Sequence, residues 1–176
     1  MPVLALTSTM VVIAGTAVLA WSGLEKLRNR SPLTSTAAGL GLPPGLAAIA
    51  ATVVPGAELG TVATVVAGAP RYLSGGLFVA LGITFASSAV WSMVTGRVVA
   101  CACFGASTRK LGWFQVGTLP LWLLVGWAMT QLPSSSWGER TGIFAGGMFA
   151  LAVARAVPAI RLGIEARADR WAVGGS

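Results

Sequence analysis

The chain has 176 residues, of which 55% are hydrophobic and 10% are charged, and its formal net charge is +7. Soluble domains carry about 25% charged residues, so this composition excludes an ordinary soluble fold and indicates an integral membrane protein. The basic residues lie between apolar runs, where they orient a membrane protein rather than bind phosphates, and nucleic acid is therefore excluded as a partner.

Five apolar runs are long enough to cross a bilayer, which takes about 20 residues in a helix. The first covers residues 2–24, and its basic cluster follows the apolar stretch, so we interpret it as a retained helix rather than a signal peptide. Pro32 and the pair Pro43 and Pro44 predict a connecting loop or an interfacial half-turn over residues 31–45. The remaining runs cover residues 44–69, 72–96, 111–132 and 141–160.

These runs predict an all-α integral membrane protein, a four-helix transmembrane bundle with a fifth C-terminal transmembrane helix. The bundle would form the core over residues 1–135, with a loop at residues 97–110 that contains both cysteines. The additional transmembrane helix would lie within residues 136–160, and residues 161–176 would form a basic cytoplasmic tail.

Helix packing in a membrane relies on small residues that let two backbones approach closely. Gly56 and Gly60 are four residues apart, and so are Gly142 and Gly146. These two pairs are the positions at which the sequence predicts close contact between helices.

The distribution of basic residues predicts the orientation of the five helices. With alternate loops on opposite sides, all of the twelve basic residues except Arg71 and Arg140 fall on one side. Basic loops stay in the cytoplasm, so we expect the inner (plasma) membrane of a bacterial cell, with the N-terminus outside and the C-terminus cytoplasmic. This orientation places the loop with the cysteines at the cytoplasmic face.

The two cysteines of the chain, Cys101 and Cys103, are separated by one residue in a single loop. Their Cα atoms are expected near the upper end of the window for a disulfide, about 4.4–6.8 Å, so a bond between them would be strained and easily exchanged. Arg97, Arg109 and Lys110 lie nearby and favour the thiolate. Cys101 and Cys103 are therefore candidate catalytic residues for thiol-disulfide exchange, rather than two soft residues that merely occupy a loop.

Soft-metal binding is a second interpretation, because two thiolates can hold Cu(I) and Met93 lies near the loop. Methionine more often fills gaps in a core, and no further cluster of cysteine, histidine or methionine builds a transport path. The chain has no histidine, the commonest metal ligand and general base, so we predict no metal site and no cofactor.

Glu58 is the ionisable residue of the second apolar run and lies close to its middle. A carboxylate at bilayer depth is costly, which makes it a functional candidate by default. It could assist proton exchange when thiols become a disulfide, pair with a basic residue of the first helix, or hydrogen-bond to a hydroxyl group across helices. Lys26 is interpreted as a topological anchor rather than a catalytic amine, although it is close enough to the membrane to bind an acidic group.

Four short segments of the sequence occur in a characteristic combination. They are Gly23-Leu24-Glu25-Lys26-Leu27-Arg28, Leu42-Pro43-Pro44, Pro55-Gly56-Ala57-Glu58 and Cys101-Ala102-Cys103-Phe104-Gly105. In this combination the chain resembles the MauE family of methylamine-utilisation membrane proteins, related to the DoxX-like four-helix membrane proteins, over about residues 9–132.

Family members often have a more polar run before the first cysteine. The apolar run at residues 98–100 here suggests a loop that dips into the bilayer.

The resemblance implies a role in maturing an extracytoplasmic protein, for MauE the disulfide-rich small subunit of methylamine dehydrogenase, alongside a thioredoxin-like partner. It also implies a more general redox partner of thioredoxin-fold proteins where methylamine metabolism is absent. We therefore predict a membrane thiol-disulfide relay, in chemical class a thiol-disulfide oxidoreductase, in which Cys101 and Cys103 exchange electrons and Glu58 assists proton balance. Its expected partners are a thioredoxin-like redox protein and the lipid bilayer, and the oligomeric state is left open.

Two alternatives stand beside the relay. The chain could be a noncatalytic assembly or stability subunit of a membrane complex, with reduced and inert cysteines, or a carrier of Cu(I) or a small molecule. Cysteines at the cytoplasmic face also conflict with disulfide chemistry on exported proteins. Either the pair relays reducing equivalents across the membrane through the dipping loop, or the topology is inverted.

Overall fold

The structure of the protein is a computed structural model, which describes residues 2–102 and 110–131 together with positions 145, 147, 148 and 152. Six helices make up most of this part of the chain. They are α1 (Pro2–Arg28), α2 (Ser31–Gly39), α3 (Pro44–Val66), α4 (Arg71–Val94), α5 (Trp113–Gly117) and α6 (Leu119–Gln131). Of these, α1, α3 and α4 are long and apolar enough to cross a membrane. The all-helical membrane class is confirmed, while the described residues give three spanning helices rather than four plus one.

The segment between the first two spanning helices is partly helical. Residues 31–39 form α2, where the sequence predicts a loop or half-turn, so that prediction is wrong for this part. Pro32 lies in the first turn of α2, where a missing N–H removes no helical hydrogen bond. The hydroxyl groups of Thr34 and Ser35 on α2 also donate to carbonyl oxygens four residues earlier. The chain leaves α2 through Gly41, whose φ of +97° is a conformation that favours glycine.

The fourth apolar run is not one continuous helix. α5 ends at Gly117, and α6 begins two residues later at Leu119. Pro120 has no N–H to donate to the carbonyl oxygen of Val116, which weakens the helix at this point, and the chain is interrupted at Thr118. The same defect is tolerated at Pro55, where α3 continues without a break. α6 has 13 residues and is about 20 Å long, less than the ~30 Å of the hydrocarbon core. A broken pair of helices therefore replaces the single spanning helix that the sequence predicts here.

The core lies where α1, α3, α4 and α6 meet. Each of these helices contributes one large buried residue: Leu19, Val62, Phe78 and Val125, respectively. The ring of Phe78 stacks on that of Trp122 across α4 and α6, with 6.1 Å between the ring centroids. Burial of these apolar side chains against one another joins all four helices around one centre.

Part of the predicted fifth helix also contacts this core. Positions 145, 147, 148 and 152 are helical, and Met148 packs against the buried cluster. A Cβ added at Gly147 would lie 2.8 Å from Cγ2 of Ile13, so this stretch approaches α1 closely. The rest of residues 136–160 and the tail over residues 161–176 lie outside the described residues. The division of the chain after residues 135 and 160 stays a prediction.

Close helix contacts occur at glycines other than the predicted ones. An added Cβ at Gly56 or Gly60 would meet nothing within 4 Å, so this prediction is wrong, and the second predicted pair lies outside the described residues. α4 and α6 instead meet at Gly75, where an added Cβ would lie 2.7 Å from the carbonyl oxygen of Gly126. The two backbones are in contact there, as small residues permit between membrane helices.

Candidate functional site

Glu58 and Lys26 form an ion pair inside the bundle. Oε1 of Glu58 accepts a hydrogen bond from the ammonium of Lys26 and a longer one, 3.3 Å, from the hydroxyl of Ser22. The side chains of Glu58 and Lys26 are 0% and 2% exposed. α1 supplies Ser22 and Lys26 one turn apart, and α3 supplies the carboxylate. Two of the three predicted roles of Glu58 therefore occur together, the pairing with a base of the first helix and the hydrogen bond to a hydroxyl.

Lys26 is not the surface anchor that its place in the sequence suggests. α1 continues to Arg28 instead of ending near residue 24, so Lys26 stays within the packed part of the helix. Its ammonium also lies 5.1 Å from the ring centroid of Phe85 on α4, a distance at which a cation is attracted to an aromatic face. Lys26 therefore joins α1, α3 and α4 at one buried point.

The second carboxylate oxygen of Glu58, Oε2, has no hydrogen-bond partner among the described residues. A buried polar atom without a partner costs about 1–3 kcal/mol, so Oε2 is a position at which a hydrogen-bond donor or a proton would be stabilised. An oxygen of this kind can accept a proton. The carboxylate thus provides a place inside the bundle where a proton can be held.

Cys101 is disulfide-bonded and 2% exposed. The other cysteine of the chain, Cys103, lies outside the described residues, and so does Arg109. At Cys101 the structure therefore differs from the reduced, inert cysteines of the assembly-subunit interpretation. A sulfur atom in a disulfide is also not the thiolate that Cu(I) binding requires.

The segment before Cys101 is held against α2 and against the residues before α5. The hydroxyl of Thr36 on α2 lies 2.8 Å from the carbonyl oxygen of Ala100. Val99 is buried, and an added Cβ at Gly39 would lie 3.1 Å from its Cγ1. The N–H of Leu111 donates to the carbonyl oxygen of Val99 over 2.8 Å. Cys101 therefore follows a backbone that is fixed from two sides.

The end of α4 fixes where this segment begins. The indole N–H of Trp91 donates to the carbonyl oxygen of Leu40, 3.2 Å away, at the end of α2. The hydroxyl of Ser92 donates to the carbonyl oxygen of Arg97 over 2.6 Å and closes the turn after the helix. These bonds tie α4 to α2 at the same end of the bundle as Cys101.

A cavity of about 260 Å³ has both Lys26 and Ala102, the residue after Cys101, in its wall. Most of the wall is apolar. Its polar side chains are Lys26, Thr36, Thr84, Ser88 and Gln115. Lys26 of the ion pair and the neighbour of Cys101 therefore line the same cavity. Glu58 is not part of the wall and contacts Lys26 behind it. The sequence predicts a topological anchor at Lys26, and it offers no signal that separates Thr36 and Gln115 from other polar residues of helices.

The contact of Thr36 with Ala100 leads to a testable prediction. Replacing Thr36 by Val keeps the shape of the side chain and removes a hydrogen bond worth about 1 kcal/mol. The segment that carries Cys101 should then open about fivefold more often, and dithiothreitol should reduce the disulfide about fivefold faster. The measurement is the rate at which maleimide labelling appears in the purified protein. Thr34→Val is the matched control, because its hydroxyl donates to the carbonyl oxygen of Arg30 at the start of α2. Equal rates in both variants would refute the role of Thr36.

Comparison with protein families supplies the identity. Residues 3–131 match the family described as methylamine utilisation protein MauE. Comparisons with curated proteins and with solved structures give no match. The matched range contains α1 to α6, the Lys26–Glu58 ion pair and both cysteines. It covers well over half of the chain and includes three helices able to cross a membrane, so this membrane protein belongs to the MauE family of methylamine utilisation proteins.

Proposed function

We propose that this MauE-family protein is a membrane thiol-disulfide relay that supports the maturation or the redox state of an extracytoplasmic protein. The observation that carries the proposal is the disulfide at Cys101, in a segment held by α2 and by the residues before α5. Cys103 is the second cysteine of the chain, and we assign it as the other reacting residue.

The exchange needs two thiols on the partner, for which a thioredoxin-like protein is suited. A thiolate of the partner attacks one sulfur atom of the disulfide and forms a mixed disulfide, which the second thiol of the partner then resolves. The partner leaves as a disulfide, and Cys101 and Cys103 become thiols that hold the two electrons. Two protons travel with these electrons, and we assign Glu58 a part in holding them, since Oε2 is buried without a partner among the described residues.

We place the relay in the bacterial plasma membrane, with the N-terminus outside and the C-terminus cytoplasmic. The excess of basic residues in alternate loops supports this orientation. Arg28 ends α1 and Arg97 follows α4, on the side of the bundle where α2 contacts the segment before Cys101. The relay would then receive or deliver electrons at the cytoplasmic face.

The burial of Cys101 favours a second candidate function. At 2% exposure the residue is less accessible than a site of exchange with a large partner requires. In this case the disulfide would hold the segment together, and the protein would be a noncatalytic assembly or stability subunit of a membrane complex.

Labelling of the cysteines separates the two candidates and tests the orientation. Intact cells and inverted vesicles are treated with a membrane-impermeant maleimide before and after mild reduction by a thioredoxin-like protein. A relay is expected to label only after reduction, and from one side of the membrane. The variant Cys103→Ser is the matched control, because its lone Cys101 should label without reduction or be trapped as a mixed disulfide with the partner.

A disulfide that resists the thioredoxin-like protein in the folded state, and yields to reductant only after denaturation, would contradict the relay. The same outcome would favour the assembly subunit. Labelling from the outside would retain the relay and overturn the orientation.

A further inference from the structure

We infer that the cavity of about 260 Å³ whose wall includes Ala102, the residue after Cys101, binds the ring of a membrane quinone. This quinone reforms the disulfide after the relay has accepted electrons. The inference rests on the proposed function, because a quinone can act as the oxidant here only if the Cys101 disulfide is reduced and reformed. It names the electron acceptor, which the relay by itself leaves open.

The formation of the disulfide determines how many electrons and protons this acceptor must take up. When two thiols form a disulfide, two electrons and two protons leave the sulfur atoms. A quinone that takes up two electrons and two protons becomes the hydroquinone, so the reaction balances without another reactant. Quinones are also soluble in the lipid phase, from which they can reach a cavity between apolar helices.

The size and the wall of the cavity fit a single ring. Small-molecule sites usually have volumes of about 300–1,000 Å³, and this cavity lies just below that range, which suits one substituted ring better than a haem or a flavin. Side chains such as Leu40, Val54 and Leu111 make most of the wall apolar. Phe85 adds an aromatic face against which a ring can pack.

Lys26 and Gln115 are the two polar side chains of the wall that we expect to donate hydrogen bonds to the ring oxygens. Thr84 and Ser88 are not counted, because their hydroxyl hydrogens already bond to carbonyl oxygens of α4. The ammonium of Lys26 carries three N–H groups, and its bond within the described residues goes to Glu58. Oε1 of Gln115 accepts from the N–H of Gly112 over 2.8 Å, which orients the amide and its NH₂ group. Lys26 can also stabilise negative charge that develops on the oxygen as the ring is reduced.

The apolar tail of a quinone could leave the cavity along the exposed side of α3. Ala50 and Val54 lie in the wall of the cavity. Their neighbours in sequence, Ile49 and Val53, are 57% and 59% exposed in a helix that is able to span a membrane. A ring held between Lys26 and Phe85 would therefore have its tail beside side chains that contact lipid.

The test uses purified full-length protein whose disulfide has been reduced and freed of reductant, under anaerobic conditions. The probe is decylubiquinone, and its reduction is followed by its ultraviolet absorbance while maleimide labelling follows the loss of thiols. We expect one quinone reduced for each disulfide formed. Ala50→Leu, which extends a side chain into the cavity, should slow the reaction about tenfold or more. Ala48→Leu on the exposed face of the same helix should leave the rate unchanged.

The outcomes separate this inference from the proposed function. If a thioredoxin-like protein reduces the disulfide but decylubiquinone does not reform it, the quinone site is refuted and the relay stands. If Ala50→Leu reacts as fast as Ala48→Leu, the quinone reacts outside the cavity and the site is again refuted. If the thioredoxin-like protein fails to reduce the disulfide, the relay itself fails.

Discussion

Removing either partner of the buried ion pair is expected to destabilise the bundle strongly. Lys26→Met leaves the carboxylate of Glu58 without its cation, and Glu58→Gln leaves the ammonium of Lys26 without its anion. The two side chains are 2% and 0% exposed. Breaking a buried pair in this way costs about 3–5 kcal/mol, because the remaining charge is uncompensated. The measurement is thermal unfolding of the purified protein in one detergent.

The double variant Lys26→Met with Glu58→Gln provides the decisive comparison. It removes both charges, so its loss of stability should be clearly smaller than the sum of the two single losses, as for groups in direct contact. Arg28→Met is the matched control on the same helix, because Arg28 is exposed and should change stability by no more than about 0.5 kcal/mol. Additive single effects, or single losses no larger than that of Arg28→Met, would show that the pair does not hold α1 to α3.

The pair also relates the stability of the bundle to its function. Because an apolar replacement of a buried pair is often neutral or stabilising, packing alone does not explain why this chain keeps two charges there. Lys26 faces the cavity wall, and Oε2 of Glu58 lacks a partner among the described residues. Both features agree with the proposed part of Glu58 in holding protons during thiol-disulfide exchange.

The class of fold could be predicted from the sequence because it depends on simple quantities. Apolar runs of sufficient length give α1, α3 and α4 directly, and the four quoted segments indicate the MauE family. The ends of helices were less predictable. Pro32 predicts a break in the chain, but at the start of a helix a proline removes no hydrogen bond. Composition predicts one continuous helix over residues 111–132, but the chain is interrupted at Thr118, two residues before Pro120.

Within the site, Cys101 and Glu58 could be chosen from the sequence because each is unusual among its neighbours. Lys26 could not, because a lysine near a basic cluster is typical of a membrane boundary, and its burial depends on residues of α3 and α4 that pack around it. The cavity was equally unpredictable. Its wall takes residues from α1, α2, α3, α4 and α5, and such an assembly exists only after the helices have packed.

Replacing Gly75 by alanine is expected to lower the stability of the bundle, although alanine normally stabilises a helix. Ala is the better helix former by about 0.8–1.0 kcal/mol, so Gly→Ala in an exposed part of a helix should stabilise. At Gly75, however, the new Cβ would lie 2.7 Å from the carbonyl oxygen of Gly126, a backbone atom that cannot rotate away. We expect Gly75→Ala to push α4 from α6 and to lose about 1–3 kcal/mol net.

Gly76→Ala makes the same chemical change one residue later, where an added Cβ meets nothing within 4 Å. It should leave the stability unchanged or raise it, so neighbouring glycines of one helix are predicted to respond with opposite signs. Thermal unfolding in detergent measures both variants against the parent protein. If both variants raise the midpoint, the response reflects helix propensity alone. In that case, the contact between α4 and α6 at Gly75 would not be what stabilises this end of the bundle, which is the end opposite Cys101.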